Sequence, residues 1–199
     1  MRKGEQTRAL ILNEAVALAS QLGLEGLSIG SLASRLKLSK SGLFAHFGSK
    51  TDLQLFTLKQ VQELFRDRVF VPALQEPPGL PRLEALFSNW LAWLEHDLPG
   101  GCLMLAASAE YDDRPGPVRD FLVAGQRELR GAIAKAVRLA IDAKHLDTGT
   151  DPWQFAFELF GIVLATHHDR RLFGDARASA RAQEAFERLI TTCRGTATG

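Results

Sequence analysis

The sequence is poor in the residues that staple, coordinate or catalyse. Only two cysteines, Cys102 and Cys193, occur in 199 residues, far apart and without metal-ligand spacing. That excludes a disulfide framework and a zinc-type motif, and makes a cytoplasmic location the default expectation. No stretch approaches the ~20 consecutive apolar residues that a bilayer span needs. The first apolar segment, Ala9 to Leu22, is interrupted by Asn13, Glu14, Ser20 and Gln21, so neither a signal peptide nor a membrane helix is expected. Strand-type alternation is missing. Catalytic patterns are equally thin. Ser108 lacks a Gly-x-Ser-x-Gly setting, and Glu110, Asp112 and Asp113, followed by Pro115 and Pro117, read as a helix break. His167 and His168 are adjacent and point to different faces of a helix, which one metal seldom bridges. No enzyme activity, metal or cofactor is expected.

Charge of either sign is also scarce in net terms, at +1 for the chain. It is, however, segregated. The first fifty residues hold seven Lys/Arg (Arg2, Lys3, Arg8, Arg35, Lys37, Lys40, Lys50) against three acids (Glu5, Glu14, Glu25), while the remainder holds 17 basic and 20 acidic side chains. A local basic patch, not a basic protein, is what phosphate binding requires.

Within that patch lies the most informative stretch, Leu27 to Leu53. Ser28 is placed to cap a helix with Ile29, Leu32, Ala33 and Leu36 on one face. Ser39 is placed to cap a second, expected to bury Leu43, Phe44 and Phe47. Ser49 and Asp52 have capping-box spacing for a third. Ala33 suits a steep helix crossing, and Leu38 is the one apolar residue of the turn, expected to plug the gap between the two helices. The pattern is a helix-turn-helix whose second helix would read DNA. Lys40, Ser41 and Gly42 offer short side chains and close backbone approach at its start; His46 and Lys50 lie within reach of flanking phosphates.

The segment from Gly4 to Leu55 resembles the DNA-binding domain of the TetR (tetracycline-repressor-like) family. The resemblance is carried by the helix Arg8–Leu22, the turn Gly23–Ser28, Leu-Ala-Ser-Arg-Leu, the string Leu38 to Phe47, and Ser49-Lys50-Thr51-Asp52-Leu53. It implies DNA contacts from Ser28, Lys37, Ser39, Lys40, Ser41, Gly42, Phe44, His46 and Lys50 on a double-stranded, palindromic operator. Two positions depart from the family pattern. Phe44 stands where a Tyr usually bonds a phosphate, and Lys37 where the turn usually has Gly; with positive φ, Lys37 would cost on the order of 1 kcal/mol.

After Leu53 apolar residues keep recurring at helical spacing. A helix of about 30 Å is expected from Ser49 to a stop at Pro72, then a loop over Gln75–Pro81. Further helices are expected over Arg82–Asp97, Cys102–Glu110, Val118 to about His145, Pro152–Gly174 and Ala176–Thr192. The expectation is thus an all-α chain of nine helices, with a three-helix DNA-binding domain in residues 1–48 and a helical bundle for ligand binding and dimerisation in residues 49–199. The resemblance implies a homodimer and a small-molecule effector. Apolar residues surround most of the circumference of the Pro152 helix, so Phe157, Phe160, Leu164 and His168 are interface candidates, although a helix buried in its own bundle reads similarly. Arg170 and Arg171 fit an interface rim or a solvated helix end equally. Trp90, Trp93, Met104, Tyr111 and Phe121 are pocket candidates for a hydrophobic or aromatic effector, and equally ordinary core. The reading is a ligand-released repressor; the alternative is a redox-responsive regulator signalling through Cys102 or Cys193.

Overall fold

The computed structural model describes residues 3–194. Among them are nine helices and no strand. The first three are α1 (Lys3–Leu22), α2 (Ile29–Leu36) and α3 (Lys40–Phe47). Helix α4 covers 50–73: Lys50–Phe65, a π-helical turn Arg66–Phe70 and a last turn Val71–Ala73. Helix α5 covers 80–97, as Leu80–Ala92 and a π-helical turn Trp93–Asp97. Then come α6 (Leu103–Glu110), α7 (Pro117–Asp142), α8 over 152–173 (Pro152–His168 plus a π-helical turn Asp169–Phe173) and α9 (Ala178–Cys193). No helix is long and apolar enough to cross a membrane among these residues.

Several boundaries differ from expectation for identifiable reasons. Helix α1 begins earlier, at Lys3. Pro72 does not stop α4; the wider π turn before it spares the proline ring a clash with the carbonyl four residues back, and the helix ends one residue later. Pro81 belongs to the first turn of α5 and not to the preceding loop. There its missing N–H is one the helix could not have used.

The chain packs as two compact units. One contains the chain up to Phe65 together with His96–Gly125; the other contains Arg66–Glu95 and the chain from Gln126 onward. In the first, α1 buries Ile11, Ala15, Val16 and Ala19 with Leu24, Leu27, Leu32, Leu43, Phe47 and Leu53. Each fully buried Leu or Ile is worth about 1.5–3 kcal/mol relative to exposure. Arg8 lays its guanidinium over Phe56 at 4.2 Å and Phe47 at 5.8 Å, closing that core.

In the second unit Phe87 of α5 stacks on Phe186 of α9 at 4.1 Å, and Trp90 meets Phe160 of α8 at 6.2 Å. Asp151 caps α8, accepting from the Trp153 and Gln154 amides. His145 Nδ1 accepts from the Leu80 amide at 3.1 Å and so caps α5. Arg170 is not a solvated helix end. It donates to Glu95 at 2.8 Å, where Ser179 also donates at 2.5 Å, and both charged side chains are about three-quarters buried.

Candidate nucleic-acid interface

The α2–α3 pair is built by serine caps. Ser28 accepts from the Ser31 amide and Ser31 Oγ accepts from the Ser28 amide, each at 3.0 Å, a reciprocal box in which serine takes the place usually held by Glu or Gln. Ser39 accepts from the Gly42 amide at 3.1 Å and opens α3. Ser49 caps α4 by accepting from the Asp52 amide at 3.0 Å, and its hydroxyl donates to Asp52 Oδ2 at 2.6 Å, while the Ser49 amide donates to Phe47 O. Between α2 and α3, Lys37 adopts φ +54° and ψ +37°, the left-handed conformation, and its amide closes the end of α2.

Helix α3 is anchored only by Leu43 and Phe47. Lys40, Ser41, Gly42, Ala45 and His46 are all exposed, so its first turn presents amides and short side chains to solvent. The positive end of the helix dipole lies there too, which favours an anion. Phe44 is not buried as expected; it is 55% exposed, because one step from Leu43 turns it about 100° away from the core. Leu38 likewise does not plug the helix gap and is 47% exposed, its amide bonded to Ala33 O while the side chain points outward. The stem of Lys40 crosses α2 at Gly30, where a Cβ would stand 3.6 Å from Lys40 Cε.

The basic residues divide into engaged and free. Arg35 pairs with Glu14 at 2.9 Å and Lys50 with Glu25 at 2.5 Å. Lys37 and Lys40 have no carboxylate partner among the described residues. Glu25 also accepts from Tyr111 Oη at 2.7 Å and lies 3.6 Å from Arg114. The Lys50 hydrogen bond first, and the Tyr111 bond second, hold its carboxyl below the usual range. Burial, and then the Glu25 carboxylate, push the Tyr111 phenol up to about 12.

What orients the head within its unit was not legible in advance. Glu110, at the end of α6, accepts from the amides of Leu24 and Glu25 at 2.8 and 2.9 Å. Gln54 Nε2 donates to Leu24 O and to Tyr111 Oη at 3.0 and 2.9 Å. The Gly100 amide donates to Ser20 Oγ at 3.1 Å, and a Cβ on Gly100 would fall 1.6 Å from Ser20 O. The turn between α1 and α2 is therefore held on both its amides and its carbonyl by the segment that follows α5 and by α4.

Two family profiles match. Residues 11–55 match one described as bacterial regulatory proteins, tetR family, and residues 79–186 match a tetracyclin repressor-like C-terminal domain. The chain belongs to the TetR family. A curated relative, the HTH-type transcriptional regulator TcmR of Streptomyces glaucescens, is 26% identical over 143 residues, or 68% of this chain. The chain spans about 61% of that relative's length. A TetR transcriptional regulator from Chloroflexus aurantiacus is similar in structure with a TM-score of 0.85 and 26% identity, covering 96% of each chain. AibR, solved in complex with isovaleryl coenzyme A and operator DNA, shares the fold with a TM-score of 0.73 at 21% identity, over 94% of this chain and 98% of that one. As in the TetR family generally, the helix-turn-helix is N-terminal and the rest of the chain is helical.

The remaining site residues fall in both units. Trp90 and Trp93 are buried in the second, whereas Met104, Tyr111 and Phe121 belong to the first, Tyr111 inside the polar network just described. On α8, Phe157 is 62% exposed and Leu164 and His168 are exposed too, but Phe160 turns inward at 6% exposure. Trp153 and Leu172, which sequence reasoning passed over, continue the exposed stripe at helical spacing. Cys102 is buried, and burial pushes the Cys193 thiol up from its ordinary value. No three His, Cys, Asp or Glu converge on a metal position among the described residues.

Proposed function

We propose that the protein is a dimeric transcriptional repressor that leaves its operator when a small apolar or aromatic molecule binds the C-terminal helical region. Residues 1–48 form the DNA-binding head. The observation that carries this reading is the exposed face of α3: Lys40, Ser41, Gly42, Phe44 and His46 face solvent on a helix seated by two apolar anchors, next to an unpaired Lys37. Lys40 and His46 read or grip the duplex, and the Ser28, Ser39, Ser41 and Gly42 region packs against phosphates. Lys50 joins them by exchanging Glu25 for a phosphate, as a surface ion pair gives up little when broken. Phe44 supplies an apolar contact to sugar or thymine methyl in place of a phenol bond.

The dimer uses the α8 stripe of Trp153, Phe157, Leu164, His168 and Leu172. At its centre Gly161 has nothing within 4 Å of where a Cβ would be, leaving room for close helix approach. Two copies would place two α3 helices on half-sites about 34–36 Å apart, or a multiple of that. A ligand that prefers a different separation shifts the population away from the DNA-bound state, by no more than its differential affinity for the two states. The fold neighbour AibR, solved with both an acyl coenzyme A and operator DNA, is consistent with one chain serving both ligands. The action is placed in the cytoplasm, where the DNA is. Redox signalling is less favoured, because Cys102 is buried and the Cys193 thiol is raised.

Fluorescence anisotropy on the duplex upstream of the protein's own gene, titrated across salt, tests the reading. Selective binding with a steep salt slope is expected, weakened by K40A together with H46A. Binding no tighter than to random duplex there and in a pool of genomic fragments would overturn it.

A further inference from the structure

Within the second unit, one cation stands in an unusual place. Arg130, in the middle of α7, lays its guanidinium over the ring of Phe160, with Cζ 4.4 Å from the centroid. Phe160 is buried and sits 6.2 Å from Trp90, itself 1% exposed. Arg130 Nε is buried and has no hydrogen-bond partner, and no carboxylate pairs with the guanidinium among the described residues. His167 stands two turns beyond Phe160 on the same face of α8, and its Nε2 is also buried and unpartnered. Burial first, then Arg171 and His168, lower the His167 pKa, so this ring is neutral near pH 7 and can donate or accept one hydrogen bond.

A guanidinium stacked on an aromatic ring uses its face and not its edge. The in-plane N–H groups remain, and Nε with one Nη forms the fork that matches a carboxylate bidentately. Burying Nε beside the Phe160 ring without an acceptor, on a side chain that is otherwise only half-buried, is unfavourable for folding, and ring stacking does not satisfy an N–H. The arrangement makes sense when a ligand brings the acceptor. The acceptor must be anionic to match the cation, and the body attached to it must be apolar to lie against Trp90 and Phe160.

We propose that Arg130, stacked on Phe160 beside Trp90, anchors a binding site for a small organic carboxylate with an apolar or aromatic body. The inference rests on the effector reading above and narrows its ligand class: the effector is an acid, not a neutral hydrophobe.

The test compares acid and amide pairs of equal shape, 1-naphthoate with 1-naphthamide and octanoate with octanamide. Binding is read by the fluorescence of Trp90 and Trp93 and by thermal shift of the full-length protein. Wild type is expected to bind the acids and to discriminate against the amides. Arg130→Gln is expected to weaken acid binding by at least about 30-fold, the scale of losing a buried charge-assisted pair. Arg130→Met, without ligand, is expected to melt no lower than wild type, since the cation has no carboxylate to lose, the thioether keeps a contact with the Phe160 ring, and an unpaired buried N–H is removed. A lower melting temperature for Arg130→Met would make the residue structural and overturn the proposal. Equal binding of acid and amide would overturn it too, as would acid binding that ignores Arg130 or no acid binding at all. If a neutral compound released DNA from wild type and Arg130→Gln alike, the effector reading would stand and the carboxylate site would fall.

Discussion

Removing the Glu110 carboxylate should loosen the DNA-binding head without touching any residue of α3. Glu110 accepts from the Leu24 and Glu25 amides at 2.8 and 2.9 Å, and Leu24 is fully buried. Hydrogen bonds to a charged acceptor are worth about 1.5–3 kcal/mol each. The Glu25 bond is exposed and the Leu24 bond only partly buried, so water replaces part of each, and about 2 kcal/mol in total is the reasonable figure for Glu110→Ala. Glu110→Gln keeps a neutral acceptor and should cost about half as much. For a chain of this size 2 kcal/mol corresponds to a fall of roughly 4–8 °C in melting temperature. The more specific assay is amide hydrogen exchange. Leu24 and Glu25 should lose protection by up to about 30-fold while the amides of α8 and α9 keep theirs. If Glu110→Ala melted within 1 °C of wild type and left exchange at those two amides unchanged, the carboxylate would not be holding the turn.

Three other outcomes follow from single features. Lys37→Gly should raise stability by about 0.5–1 kcal/mol by relieving the left-handed strain, read by chemical denaturation, and should reduce the salt slope of DNA binding by about one if Lys37 meets a phosphate. Phe157→Glu should yield a folded monomer by analytical ultracentrifugation, because that ring is exposed in the chain itself. The pH dependence has two sides. Tyr111, raised to about 12 in the fold, contributes stability that is full below pH 10 and is lost as pH rises through about 12. His167, lowered by burial, binds its proton more readily when unfolded, so stability falls as pH drops below about 6.5, and His167→Gln should flatten that acid limb in melting curves.

The parts of the fold written in local chemistry were legible. Serine caps at Ser28, Ser39 and Ser49, the Asp151–Pro152 start of α8 and the apolar spacing of α2 and α3 are short-range signals, and they mark the helix starts in the structure. What escaped was long-range. Glu110 lay in an acidic string whose local reading, a helix break, is sound: α6 does end there. Its partners are 85 and 86 residues away in sequence, and no periodicity announces such a pairing. Arg170 was ambiguous for the same reason, since its partner Glu95 comes from another helix. Phe44 and Phe160 show the limit of hydrophobic pattern. Phe44 is apolar and faces out, whereas Phe160 sits on a helix apolar nearly all round, and only packing decides which side turns inward.

On the proposed reading, α3 is the helix that reads DNA. Enrichment of bound duplexes from a random-sequence pool tests it most directly, followed by salt titration of the winner against wild type and the K40A/H46A variant. An inverted repeat with half-sites about one helical turn apart, or a multiple of that, is expected, with a steep loss of affinity as salt rises. The double variant should bind at least tenfold more weakly and with a shallower slope. A pool that converges on no sequence, or a winner bound equally by wild type and variant, would contradict it.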